Sequence, residues 1–259
     1  MRQLEPKPMP SPQRKPTFGL GETMRRRLSV VALLASLALA ATALPRIGVG
    51  APLPAAQSES QNALVAKAQA ALDAKQWPGA EAALKELSAS EPRWEYSEAL
   101  GTAQMNQGHY ADSLQSYQRA IELAGKNASP AAIAQIYTTI GNANLKLKNN
   151  DAAIAAYNKA AALSPNPAVA YFNVCATMFN MGQPAAKTAA VCDKAIAADP
   201  KKADAYFVKG SALYGEGAVD KSNKYVVPPG AVEALKQYLA LAPDGPHVQD
   251  VKAMLDALK

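Results

Sequence analysis

Residues 137–165 indicate the fold of this chain most clearly, and their sequence is YTTIGNANLKLKNNDAAIAAYNKAAALSP. Strong helix formers such as Ala, Leu and Lys dominate the stretch. Gly141 follows Tyr137 by four residues, and a residue without a side chain lets two helices approach closely. Pro165 cannot continue a helix and ends the pattern. The stretch therefore predicts two short helices that pack against each other, with the second helix ending before the proline.

This pattern recurs along the chain at a spacing of about 34 residues. The aromatic, small-residue and proline positions all repeat: Tyr137, Tyr171 and Tyr206; Gly141, Cys175 and Gly210; Pro165 and Pro200. A period of this length is typical of stacked helix pairs, in which no single pair can bury its apolar face without its neighbours. The repeat therefore predicts a continuous stack rather than a globular bundle.

The repeat resembles the tetratricopeptide-repeat (TPR) family, whose pattern is an aromatic residue-x2-L-G-x2-Y, then A-x3-F, then Pro. The matching positions fall in five units: Ala68, Trp77, Ala80, Leu84 and Pro92; Ser97, Leu100, Gly101, Gly108, Tyr110, Ser113, Tyr117 and Ala120; Tyr137, Ile140, Gly141, Ala153, Tyr157, Ala160 and Pro165; Tyr171, Val174, Cys175, Gly182, Ala195 and Pro200; Tyr206, Lys209, Gly210, Leu213, Ala231, Leu235, Tyr238 and Pro243. The resemblance implies an all-α, right-handed α-solenoid of about five helix–turn–helix units over residues 57–259.

Three departures from the repeat carry structural expectations. The link between the second and third units ends in Ser129-Pro130, which reads as the N-cap and first residue of a helix. Extra residues at 218–229 in the last unit place short β-prone segments on either side of a polar turn, which predicts a small hairpin. Residues 246–258 show an amphipathic pattern that predicts a helix capping the solenoid.

The first 56 residues differ in composition from the repeat. Residues 1–23 are rich in proline and are interpreted as a disordered prefix or as a mis-called start, with Met24 as the favoured true start. Residues 24–56 begin with three arginines and continue with an apolar run over 28–44, which predicts a signal peptide followed by a linker. The alternative is an uncleaved membrane anchor formed by residues 28–44. We therefore expect an exported protein of bacterial type, periplasmic or extracellular, that touches a membrane only if this segment is retained.

The charge of the chain argues against nucleic-acid binding. The full chain has 27 Lys+Arg and 21 Asp+Glu, for a formal net charge of +6. Five of these six excess positive charges lie in residues 1–43, so the remainder is close to neutral at +1. A nucleic-acid footprint needs clustered basic residues on the folded surface, and the repeat region shows no such cluster in its sequence.

No catalytic or metal-binding motif is present in the sequence. It contains no Gly-rich phosphate loop, HExxH, GxSxG or CxxC. The two histidines, His109 and His247, lie at helix boundaries and are interpreted as structural or solvated. We therefore expect no enzyme activity, no cofactor and no metal site.

The candidate binding residues lie on the first helices of the units, which by the resemblance line a concave groove. Four aromatic residues share one stripe near the C-terminal end and are expected to be accessible: Phe172, Phe179, Phe207 and Tyr214. The same stripe is polar in earlier units, with Glu98, Thr138 and Asn142. The alternative interpretation of the aromatic residues is that they only seal neighbouring first helices together.

These residues favour an adaptor or scaffold that binds a peptide segment or a protein partner in its groove. The alternative function is a carbohydrate- or peptidoglycan-binding accessory protein of the cell envelope, which would stack sugar rings on the aromatic strip.

The two cysteines, Cys175 and Cys192, form a possible disulfide. Counted from the turn near Gly182, they fall at similar heights on two antiparallel helices and both face the helix contact. Export to an oxidising compartment would permit the bond. The alternative is two free cysteines that act as small buried apolar residues.

Overall fold

A computed structural model describes residues 59–259, and these residues form a stack of helices with one small hairpin. The described helices and strands are α1 (Glu59–Asp73), α2 (Trp77–Ser90), α3 (Trp94–Asn106), α4 (Tyr110–Ala124), α5 (Pro130–Lys146), α6 (Asn150–Leu163), α7 (Ala168–Asn180), α8 (Ala185–Ala198), α9 (Ala203–Gly215), β1 (Ala218–Val219), β2 (Tyr225–Val226), α10 (Ala231–Leu241) and α11 (Val248–Asp256). The predictions for residues 1–23 and 24–56 lie outside the described residues.

Ten of these helices form five consecutive pairs, as the repeat predicts. Each helix packs mainly on its neighbours in sequence, so the core runs along the stack instead of converging on one centre. A proline follows two residues after the end of the second helix in four pairs, at Pro92, Pro165, Pro200 and Pro243. The all-α solenoid fold is thereby confirmed.

The three departures from the repeat also appear in the structure. The side chain of Ser129 caps α5 by accepting a hydrogen bond from the backbone N–H of Ala132. Strands β1 and β2 pair antiparallel, with Ala218 opposite Val226. Helix α11 buries Val251 and Met254 against the last pair and so caps the stack.

One close contact recurs inside the pairs and explains the small residues of the repeat. Gly101 lies under the ring of Tyr117, and Gly141 lies under the ring of Tyr157, each sixteen residues later. The glycines make room for the tyrosine rings of their own unit, because a Cβ atom there would overlap the ring. The same rings also pack on the next unit, Tyr117 on Ile136 and Tyr157 on Val174.

The turns inside the first four pairs share a left-handed backbone conformation at one position. This position is Lys75, Gly108, Lys148 and Gly182, with φ of 54°, 80°, 61° and 65°. Two of the four turns therefore place a lysine where glycine is the favoured residue. The shared conformation fixes the angle at which the second helix returns along the first.

Candidate functional site

The aromatic strip is largely closed, which corrects the expectation that its four rings are accessible. Phe172 is 8% exposed and Phe207 is 2% exposed, whereas Phe179 and Tyr214 are half-buried. The prediction of an accessible ring is therefore wrong for Phe172 and Phe207.

The physical reason is direct packing between two first helices. Helices α7 and α9 contact each other, so the stripe between them is interior. Phe172 joins the apolar cluster that contains Phe207, and the ammonium group of Lys202 lies 4.7 Å from the centre of the Phe172 ring. Phe207 is covered further by His247, whose ring stacks on it at 3.9 Å. The alternative interpretation, that these rings seal neighbouring helices, describes Phe172 and Phe207.

The rim of the strip is held by the hairpin. The Tyr225 hydroxyl donates a hydrogen bond of 2.8 Å to the backbone carbonyl of Tyr214, and the two ring centres lie 5.2 Å apart. The insertion at 218–229 thus braces the C-terminal end of α9. Phe179 and Tyr214 each keep part of their ring surface open to solvent.

The first helices α3 and α5, like α5 and α7, pack on each other far less than α7 and α9 do. The polar stripe residues on α3 and α5, Glu98, Thr138 and Asn142, are all partly buried, as Phe179 and Tyr214 are. The polar half of the groove thus has none of these residues fully buried, whereas the aromatic half buries Phe172 and Phe207.

Glu98 is the most unusual polar group in this half of the groove. No hydrogen bond or ion pair of its carboxylate occurs within residues 59–259. Loss of hydration on partial burial, helped by the nearby charge of Glu95, raises the pKa of Glu98 to about 7. Glu95 itself is paired with Arg93, at 3.6 Å between the guanidinium Nε and a carboxylate oxygen. Glu98 thus lacks the cation that its neighbour has.

Asn142 and Thr138 offer different hydrogen-bonding groups to the groove. The Tyr157 hydroxyl donates a 2.7 Å hydrogen bond to the side-chain oxygen of Asn142, which directs the amide NH2 away from that contact. The Thr138 hydroxyl donates to the backbone carbonyl of Ala134 and retains its lone pairs. One unit earlier, the Thr102 and Tyr117 hydroxyls lie 3.3 Å apart in the arrangement that corresponds to Asn142 and Tyr157.

The two cysteines are bonded to each other in the structure. Cys175 and Cys192 form a disulfide with Cα atoms 5.2 Å apart, and both residues are fully buried. Helices α7 and α8 carry them in the fourth unit. The bond therefore lies in the interior of the fourth unit, next to the closed half of the groove.

A polar network between the first two units was not anticipated from the sequence. Glu81 on α2 accepts a hydrogen bond of 2.6 Å from the side-chain amide of Gln107 and forms an ion pair of 2.8 Å with Lys85. The hydrogen bond with Lys85 is the main reason that the pKa of Glu81 is lowered. Gln104 extends the network by accepting a hydrogen bond from Ser116. The spacing of apolar residues carries no signal for such a network, because polar partners from three helices build it.

Residues 59–259 offer neither a clustered set of metal ligands nor a membrane-spanning helix. That part of the chain contains no group of three or more His, Cys, Asp or Glu residues placed to hold a metal ion. None of its helices is both long enough and apolar enough to cross a bilayer.

Comparison with known proteins agrees with this geometry. The family described as tetratricopeptide repeat matches at residues 65–129 and 99–168. No curated protein sequence matches the chain.

Solved structures share the fold at low sequence identity. A structure of MamA is 25% identical with a TM-score of 0.57, over 68% of this chain and 94% of that protein. YrrB, a TPR protein with an unusual peptide-binding site, is 18% identical with a TM-score of 0.57, over 75% of this chain and 94% of that protein. A tetratricopeptide repeat protein from Parabacteroides merdae is 18% identical with a TM-score of 0.59, over 77% of this chain and 75% of that protein.

Proposed function

Because this chain is a tetratricopeptide-repeat protein, we propose that it is an adaptor that binds an extended peptide segment of a protein partner between α3 and α5. The family generally provides interaction scaffolds without catalysis. The observation that carries the proposal is the partly buried carboxylate of Glu98 on α3, which has no hydrogen bond or ion pair within the described residues. YrrB, which shares the fold, is a TPR protein with an unusual peptide-binding site.

The chemistry of this face favours a peptide that brings a positive charge. Glu98 is partly dehydrated and has no partner within the described residues, so a Lys or Arg side chain would supply the ion pair that it lacks. Asn142 and Thr138 lie on the next first helix, where an amide donor and a hydroxyl oxygen can pair with a peptide backbone. We therefore propose a segment with a basic residue seated at Glu98 and its backbone crossing α5.

Selection from a random peptide library displayed on phage, against the full chain, tests this proposal. We expect the bound population to be enriched in Lys or Arg at one fixed position. We also expect the Glu98→Gln variant to lose that enrichment. The Glu122→Gln variant is the control, because Glu122 is exposed on a second helix and pairs only with Arg119. The proposal is contradicted if no peptide is enriched. It is also contradicted if the enrichment is the same for the wild type and for Glu98→Gln.

The carbohydrate-binding alternative receives less support from the geometry. Ring stacking of a sugar needs an exposed aromatic face. Phe172 and Phe207 are buried, and only parts of Phe179 and Tyr214 remain open. We therefore do not carry this alternative forward.

We also propose that the protein works outside the cytoplasm. The arginine cluster and apolar run of residues 24–44 support export, and the buried Cys175–Cys192 bond is of the kind that persists in oxidising compartments. Mass analysis of the N-terminus of protein from its native host tests the proposal. We expect a start near Leu44 or Gln57, or else a retained anchor at 28–44. A soluble cytoplasmic chain that begins at Met24 contradicts it.

A further inference from the structure

His247 lies between the capping helix and the last unit. It immediately precedes α11 and is 1% exposed. Its ring is nearly parallel to that of Phe207 on α9, with an interplanar angle of 6° and 3.9 Å between ring centres. Its backbone N–H donates a 3.0 Å hydrogen bond to the hydroxyl of Tyr238 on α10. This one residue therefore fastens α11 to both helices of the last unit.

The imidazole ring is buried, and one of its nitrogen atoms has no hydrogen-bond partner. Its Nδ1 atom is inaccessible and has no hydrogen-bond partner. The nearest carboxylate oxygen belongs to Asp250 on α11, 4.0 Å from Nδ1, and that side chain is 45% exposed to solvent. The other titratable groups that face the ring are Asp204 on α9 and Tyr238 on α10. A proton added to this ring would place a charge in an apolar stack, where Asp250 and Asp204 offset the cost of burial only in part.

We propose that His247 is a proton-sensitive latch: its protonation releases α11 from the last unit and uncovers the ring of Phe207. The released segment is residues 245–258, which carry the apolar residues that cap the stack. Release exposes Phe207, which is 2% accessible when the latch is closed, together with Val251 and Met254, which are fully buried. The end of the solenoid thereby gains an apolar surface in acid that it lacks at neutral pH.

The direction of the pH effect follows from the difference between the closed and released states. Burial lowers the pKa of His247 in the closed state, and Asp204 and Asp250 offset this only in part. In the released state the group returns to its ordinary pKa of 6.5. The closed state therefore binds fewer protons, so closure is complete above pH 6.5 and weakens as the pH falls below it. Between the two pKa values, the opening equilibrium rises roughly tenfold for each pH unit.

The histidine content of the chain makes the latch directly measurable. The chain has only two histidines, and the other, His109, is half-exposed beside Glu81. An NMR titration of the two imidazole groups between pH 8 and pH 4 gives both pKa values, with His109 as the internal control. Amide hydrogen exchange of residues 245–258, corrected for the intrinsic effect of pH, reports opening over the same range.

We expect His247 to titrate below 6.5 and protection of residues 245–258 to fall measurably from pH 7 to pH 5. The His247→Phe variant keeps an aromatic ring on Phe207 and the backbone hydrogen bond to Tyr238 but cannot take up a proton. It should stay protected at both pH values, whereas the matched His109→Phe variant should behave like the wild type. Unchanged protection in the acidified wild type overturns the proposal. A loss of protection in His247→Phe equal to that in the wild type also overturns it.

Discussion

Cys192 meets Cys175 at the position where the second and third units pack a tyrosine on a glycine. The Cα atoms of the two cysteines lie 5.2 Å apart, and both residues are fully buried. In the second and third units, Gly101 and Gly141 accept the rings of Tyr117 and Tyr157. The fourth unit thus replaces a packing contact with a covalent bond between the same two helices.

Reduction of this bond should destabilise the whole solenoid. A closed loop with a sequence separation of 17 restricts the unfolded chain, and its opening should lower the free energy of unfolding by about 3 kcal/mol. Thermal unfolding with and without reductant measures the change, and thiol counting on unfolded native protein measures the bond itself. Two free thiols before reduction would contradict the pairing.

Gly141→Ala should lower the free energy of unfolding by about 1–3 kcal/mol, because the added Cβ atom would overlap the Tyr157 ring. Gly215→Ala is the matched control, since no atom lies within 4 Å of the Cβ position at the end of α9. Urea titration of both variants checks the prediction. Equal effects at the two sites would show that close packing is not what requires glycine at 141.

Lys148→Gly should raise the free energy of unfolding by about 0.5–1 kcal/mol. Lys148 has φ of 61°, and relief of this strained conformation outweighs the extra freedom that glycine gives the unfolded chain. Lys146→Gly, two residues earlier at the end of α5, should be destabilising by a similar amount because it weakens the helix. Urea titration compares the two variants. The prediction fails if both substitutions change stability in the same direction.

Glu98→Gln should stabilise the protein at alkaline pH and have little effect in acid. The pKa of Glu98 is raised to about 7, so the folded state holds a proton that the unfolded chain releases at lower pH. The wild type therefore loses this contribution as the pH rises through 7. We expect the variant to gain about 1–2 kcal/mol at pH 8 relative to the wild type. Denaturant titrations at pH 5 and pH 8 measure the difference, and an equal gain at both pH values would exclude ionisation as its cause.

The sequence was sufficient to predict the repeat, because its spacing depends on local contacts that recur every 34 residues or so. The hairpin at 218–229 was also predictable from its turn residues, and the cap formed by α11 was predictable from its helical periodicity. The burial of Phe207 was not predictable, because it depends on His247, a residue forty positions later that folds back over it. The partial burial of Glu98 was equally hidden, since it depends on how the helices pack around α3 and not on the sequence of α3 alone.

The affinity of a selected basic peptide for three forms of the full chain tests the central claim most directly. Isothermal titration calorimetry at pH 8 should give at least tenfold weaker binding for Glu98→Gln than for the wild type, because a charge-assisted contact is lost. Glu122→Gln, which alters an exposed carboxylate outside the groove, should bind like the wild type. Equal affinity of all three forms, or an equal loss in both variants, would contradict a peptide site at Glu98 between α3 and α5.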